Sequence, residues 1–304
     1  MKQKLRIVIL LPLVTLLSGF GLWVWGKDLP VFSQSSDPAP GPTNFGSKDS
    51  DVPEDPREAF GGRHYEFPAW PVSKELPNDV FTFARLRYTS GMWQRRHPKW
   101  LIDYPDSDLN FSYRLQQLTS LEVNPKGAIV DINAEQLSHY PFVYMIEPGN
   151  IYLSDDEARI LREYLLNGGF IMVDDFWGTD EWEAFYQGLK QIFPDREPVE
   201  LELDHPIFNM VFQIDMKPQI PAVGIAMMGR EQGITYEWNK PGTETPHYRA
   251  VYDDDGRMCM VICFNTDLGD GWEEEGTDPW YFKTFSEKYA YPLGINIVFY
   301  AMTH

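Results

Sequence analysis

From residue 79 onward, apolar and polar positions alternate in two periods, one of strands and one of helices. The run "VFTFARLRY" at 80–88 predicts a strand, and "DLNFSYRLQQLTS" predicts a helix opened by Asp108. "GAIVDI" and "PFVYMIE" are the next short strands. The helix at 155–167 is the best punctuated, because Ser154 and Glu157 have the spacing of a capping box and Gly168-Gly169 supplies a stop. The apolar run "FIMVDD" then predicts a buried strand. A helix capped by Thr179 follows, with Trp182, Phe185, Leu189 and Phe193 on one stripe. Strand and helix alternating at this spacing imply an α/β fold, a mostly parallel sheet with helices on both faces. Past Pro194 the pattern loosens. "HYRAVYDDDGRMCMVICFNT" reads as a hairpin around Asp255-Gly256, and "PLGINIVFYAMTH" as a terminal helix with Pro292 in its first turn. No internal repeat and no nucleotide-binding glycine fingerprint is found.

The pattern ahead of this domain differs. In residues 1–27, Lys2, Lys4 and Arg6 precede an uncharged apolar stretch from Ile7 to Trp25. At 1.5 Å per residue it is long enough to cross a hydrocarbon core of roughly 30 Å. Phe20, Leu22, Trp23 and Trp25 stand where a cleavage site would need small residues, so the segment is read as an uncleaved signal anchor, with a cleaved signal peptide as the competing reading. Either way the remainder is expected in the periplasm or outside the cell, tethered to the membrane through residues 7–25, or secreted if the segment is removed. Residues 28–78 are rich in Pro, Gly, Ser and acids and read as a disordered linker, too polar to offset the entropy of ordering. The α/β domain occupies 79–304.

Charge removes one class of partner. With 45 acidic and 26 basic side chains the formal charge is −19, which repels nucleic acid. The two cysteines, Cys259 and Cys263, lie four apart in a strand-like run. That places them about 13 Å apart on one face, out of disulfide reach, and they are expected as buried apolar side chains.

Chemistry is sought where open α/β sheets bind ligands, outside the carboxyl ends of the strands. Glu147 ends one strand, Asp174 and Asp175 another, and Asn265, Asp267 and Asp270 follow a third. Arg85, Arg87 and Tyr88 end the first. Three readings stay open: a divalent cation held by carboxylate oxygens, acid and base work by a carboxylate pair, or a sugar bound by Asp and Arg with Trp177 and Trp272. The bland alternative is that these acids cap helices. Elsewhere, His205 in "DHPIF" suits a structural turn, "DYPDSDLN" is rich in oxygen ligands but lacks the glycine and terminal Glu of an EF-hand, and "EEE" at 273–275 reads as a solvated face.

"FTFARLRYTSGMW", "DYPDSDLNFSYRLQQLTSLEVNP", "FVYMIEPGNIYLSDDEARILREYLLNGGFIMVDDFWG", "DHPIF", "NTDLGDGWE" and "GINIVFYAMTH" together resemble the bacterial domain of unknown function 4159 family over most of residues 79–304. That family resembles the class I glutamine amidotransferase superfamily, near its ThuA-like branch, which implies a flavodoxin-like sheet. Catalytic amidotransferases carry Cys in a turn that falls here at Asp175 or Phe176, so the resemblance implies no thiolate nucleophile. Neighbouring MoxR-type ATPase and von Willebrand factor A-type genes in the family imply a cell-envelope assembly role. The expectation is therefore an exported domain binding a ligand or an envelope protein at an acidic crevice, with a carboxylate- or metal-dependent hydrolase of an envelope carbohydrate as the alternative. In the second case Asp174, Asp175 and Glu147 are ligands or acid and base, Asp267 and Asp270 their support, and Arg87 an anion contact.

Overall fold

Seven strands form the main sheet in a computed structural model that describes residues 67–73, 79–90 and 98–304, with positions 56 and 75. These residues lie in one compact unit, Phe32–His304. The expected membrane segment and most of the linker fall outside the described residues. No described helix is long and apolar enough to cross a membrane.

Five strands are parallel: β1 (Ala84–Arg87), β3 (Ala128–Asp131), β4 (Phe142–Ile146), β6 (Phe170–Asp174) and β9 (Met258–Phe264). Numbered among themselves they run 2-1-3-4-5, the order of flavodoxin-like sheets, so strand order reverses between β1 and β4. On the far side β8 (His247–Tyr252) pairs antiparallel with β9 through the expected hairpin, where Gly256 takes a left-handed conformation at φ 79°. β7 (Val199–Glu200) ends the sheet, and β2 (Thr89–Ser90) with β5 (Ile151–Tyr152) makes a separate antiparallel pair. β4, β6 and β9 are buried at every position, as their unbroken apolar runs require of strands covered on both faces.

The period of two divides each strand between two cores. Ala84, Leu86, Val143, Met145, Ile171 and Val173 pack with α3 (Asp155–Leu166) and α4 (Gly178–Ile192) through Leu161, Leu165, Phe185 and Leu189. The opposite positions, Phe83, Phe142, Tyr144 and Phe170, meet α1 (Asp106–Leu118), α6 (Leu268–Glu273) and α8 (Tyr291–Thr303) through Phe111, Trp272 and Tyr300. Asp174 continues the second set, so the chain pattern aims its carboxyl toward α6. Trp70, ahead of the domain as read from sequence, also belongs to it: its indole donates to Val123 O and its ring lies 5.9 Å from Tyr113.

Local punctuation agrees with the sequence in part. Ser154 and Glu157 form the capping box and Gly168 the turn, at φ 103°. α1, however, starts at Asp106; Asp108 lies inside its first turn and binds Arg85 instead of capping. α4 starts at Gly178 with Trp177 in the cap position, so Thr179 is not the cap. Of the short helices, α2 (Ala134–Leu137) follows β3 and α5 (Val223–Gly229) precedes β8, and the terminal helix is preceded by α7 (Pro279–Tyr281), capped by Asp278, and by a π-helical stretch Phe282–Ala290.

Candidate functional site

The four non-glycine residues with left-handed backbones among the described residues are Asp103, Glu147, Asp175 and Asn265. Three follow the carboxyl ends of β4, β6 and β9 directly, and Asp103 enters from the loop ahead of α1. Asp and Asn tolerate this conformation better than most side chains because a short polar group can bond locally, but it still costs energy. Such a concentration at one sheet edge marks a backbone shaped for something other than stability.

Asn265 is an organiser. Its Oδ1 accepts from Gly178 N (2.9 Å), and its Nδ2 donates to Gly242 O and Thr245 O (2.8 and 2.9 Å). Tyr88 is another: its buried hydroxyl donates to Ile146 O and Glu147 O across the point where strand order reverses. Both fix loops and leave no obvious group for a ligand.

The acids converge. Asp174 has no solvent exposure; Oδ2 accepts from Tyr144 Oη and from Gly269 N at the start of α6, both at 3.0 Å, while Oδ1 is buried with no hydrogen-bond partner. Burial pushes its pKa up to about 7, against the pull of those donors. Asp175, buried beside it, accepts from Trp177 Nε1 at 3.2 Å. Burial, then Glu147, Asp270 and Asp174, hold its carboxyl far above the usual carboxylate range. Asp267 caps α6 by accepting from Asp270 N at 2.7 Å, and Asp267 and Asp270 are both raised, first by burial and then by neighbouring carboxylates.

Asp103 joins them from the loop ahead of α1. A Cβ placed on Gly269 would fall 2.6 Å from Asp103 Oδ2, 2.8 Å from Tyr144 Oη and 3.2 Å from Asp267 Oδ1, so these groups close around one glycine that has no room for a side chain. Ligand oxygens of Asp103, Asp175 and Asp267 lie within 4.8 Å of one another, and those of Asp103, Asp270 and Glu273 do likewise. Burial, then Glu273 and Asp270, raise the Asp103 carboxyl as well. Among the described residues none of these five is in an ion pair with Lys, Arg or His. Carboxylates this close and unneutralised are costly, and the perturbed pKa values collect as they do at functional sites.

Other residues singled out from sequence stand apart. Glu147 lies close enough to act on Asp175 electrostatically, yet it is paired with Lys99 and belongs to neither triad; burial raises its pKa against the pull of Lys99. Arg87 bonds Asp131 (Nη2 to Oδ2, 2.8 Å) on the outer strand, and Arg85 is fully buried, bonded to Asp108, Ser107 and two backbone carbonyls. The arginine pair therefore does not converge on the crevice. Trp177 and Trp272 are buried, the latter at 4.4 Å from Phe111, so neither offers a face to a sugar. The "EEE" run is no solvated face: Glu273 is half-buried in the carboxylate group, and Glu275 is buried against Arg114 (Nε to Oε2, 3.0 Å) and Tyr291. His205 accepts from Ile207 N in its turn, as expected of a structural residue.

Asp103 and Glu273 are what the strand-end rule missed. The oxygen-rich look of "DYPDSDLN" was the available signal for the first; nothing local distinguished the second.

A family model described as Domain of unknown function (DUF4159) matches residues 82–302. No curated protein matches the chain.

Proposed function

Since the chain belongs to the family described as Domain of unknown function (DUF4159), which names no activity, we propose from the site itself that this is a domain that binds a hard divalent cation at the carboxylate crevice. One observation carries the reading: Asp103, Asp175 and Asp267 bring oxygens within 4.8 Å of one another, Asp175 and Asp267 buried and Asp103 half-buried, and among the described residues none of the three is paired with a basic side chain. That spacing is about the diameter of a Ca²⁺ shell with ligands at 2.3–2.6 Å. A cation replaces the mutual repulsion of the three groups with shared attraction.

The strand order supports a place near the class I glutamine amidotransferase-like (ThuA-like) superfamily. Asp175, left-handed between β6 and α4, then occupies the strained strand-to-helix turn where catalytic members carry a nucleophile. Thiolate chemistry has no group there, because Cys259 and Cys263 are buried in β9 with pKa values raised by burial. The apolar run Ile7–Trp25 behind Lys2, Lys4 and Arg6 supports export and membrane tethering, with an envelope protein or carbohydrate as the partner. A second reading, hydrolysis of an envelope carbohydrate, is favoured by the strained turn at Asp175. The carboxylate spacing is tighter than the roughly 5–9.5 Å of glycosidase acid pairs, so in that reading the cation would supply the chemistry.

Thermal unfolding of the purified full chain against Ca²⁺, Mg²⁺ and Mn²⁺ tests the proposal. The melting temperature should rise with at least one cation and return on chelation, since a ligand of the native state stabilises it by mass action. No rise with any of the three sinks the reading.

A further inference from the structure

We propose that the crevice holds two divalent cations bridged by Asp103, an inner one on Asp103, Asp175 and Asp267 and an outer one on Asp103, Asp270 and Glu273. This rests on the reading of the crevice as a cation site and specifies its stoichiometry.

Geometry gives the first reason. The two ligand sets share Asp103 alone, and each is compact enough for one ion. A carboxylate with one oxygen on each ion suits a pair about 3.5–4 Å apart, the usual two-metal separation.

Charge gives the second. One divalent ion would leave three of the five formal negative charges uncompensated in a largely buried region; two leave a single negative charge. Unpaired charges out of contact with water are strongly disfavoured, and once a cation displaces the protons from these carboxyls a second ion leaves less charge uncompensated than one.

Unsatisfied atoms give the third, independent of the count of acids. Asp103 Oδ2 is buried with no hydrogen-bond partner and faces Gly269, where Asp267 Oδ1 also lies. Asp174, wholly buried, has its Oδ2 bonded to that glycine's N–H and its Oδ1 unpartnered. Buried carboxylate oxygens in native proteins almost always have partners, and bound ions are among the groups that explain the exceptions. The inner cation would satisfy Asp103 Oδ2 directly, and Asp174 would back the site through Gly269. Asp103 is half-buried and common to both sets, Asp175, Asp267 and Asp270 are buried, and Glu273 is half-buried, so the outer ion is the one nearer solvent through Glu273.

The test is a titration of the full chain with Mn²⁺, counting bound ions from the loss of the free-ion electron paramagnetic resonance signal. Two Mn²⁺ per chain are expected, with a bound spectrum broadened by coupling between them. Glu273→Gln should lower the count to one and remove the broadening. Asp103→Asn, a change the left-handed backbone tolerates, should weaken both ions by about tenfold or more, the usual cost of disturbing a metal's surroundings. Near-ultraviolet circular dichroism checks that each variant is folded, and the coupling in the unaltered protein needs no variant. A single uncoupled Mn²⁺ overturns the bridged pair and leaves the cation reading standing; no bound Mn²⁺ removes both. Two ions without coupling, or two that survive Glu273→Gln, would place one of them elsewhere and also overturn the proposal.

Discussion

Replacing Asp175 with Asn should stabilise the cation-free protein and destabilise the cation-loaded one. The substitution is conservative in every respect but charge. Asn accepts the φ of 55°, keeps an oxygen for the 3.2 Å bond from Trp177 Nε1, and has nearly the same volume. What it removes is one buried carboxylate whose neighbours Asp103 and Asp267 offer oxygens within 4.8 Å. At an effective dielectric constant of about 20, two charges at that distance repel by about 3 kcal/mol. Protonation already relieves part of this, so the expected gain without cation at pH 8 is about 1–3 kcal/mol, a rise in melting temperature of about 3–8 °C for a domain of this size. With excess Ca²⁺ the order reverses, because the unaltered protein gains roughly 3 kcal/mol at a hundredfold excess over Kd and the variant gains little. The assay is a pair of melts, in chelator and in Ca²⁺, for both proteins. A variant that melts below the unaltered protein in chelator, by the same margin with and without Ca²⁺, would mean that Asp175 is a structural hydrogen-bond acceptor and that the electrostatic reasoning is wrong.

Asp174 makes a pH prediction. Its folded pKa of about 7 exceeds the ordinary 3.8, so the native state holds this proton longer than the unfolded one. The resulting stability is complete below about pH 4 and falls away as pH rises through 7, by about 4 kcal/mol from this group alone; denaturant unfolding in chelator should show the decline, and Asp174→Asn should make it shallower, the other raised carboxyls keeping the rest. Gly269→Ala would push a methyl group to 2.6 Å from Asp103 Oδ2 and 2.8 Å from Tyr144 Oη, so a loss of about 1–3 kcal/mol and of the cation response is expected in melts. Arg114→Met would strand buried Glu275 and cost about 3–5 kcal/mol in urea unfolding, while adding Glu275→Leu should recover most of it.

The sheet and part of its candidate site were legible because both depend on local pattern. Unbroken apolar runs marked β4, β6 and β9, and the rule that ligands gather at strand ends then pointed to Asp174, Asp175, Asp267 and Asp270 without any knowledge of packing. Glu273 was illegible, and Asp103 was signalled only by the oxygen-rich run "DYPDSDLN", for the opposite reason, since each owes its place to contacts with distant segments. α6 ends at Glu273, which stays at the crevice, and the turn that follows carries Glu275 to Arg114. Three adjacent acids look alike in a sequence and differ only once a partner is present. Trp272 and Arg87 misled similarly: an aromatic and a cation near a strand end suit a ligand, but Phe111 and Asp131 had already claimed them.

The closure of Asp103 and Asp267 around Gly269 also bears on the speed of unfolding. These residues lie far apart along the chain, so bringing them together costs loop entropy, and the expectation is that this contact closes after the folding transition state. An interaction that forms after the transition state leaves the folding rate almost unchanged and slows unfolding. An ion shared by Asp103 and α6 would then act as a latch on the finished domain, lengthening its lifetime without hastening its assembly. A slower opening of the native state is also a slower exposure of its backbone to proteases.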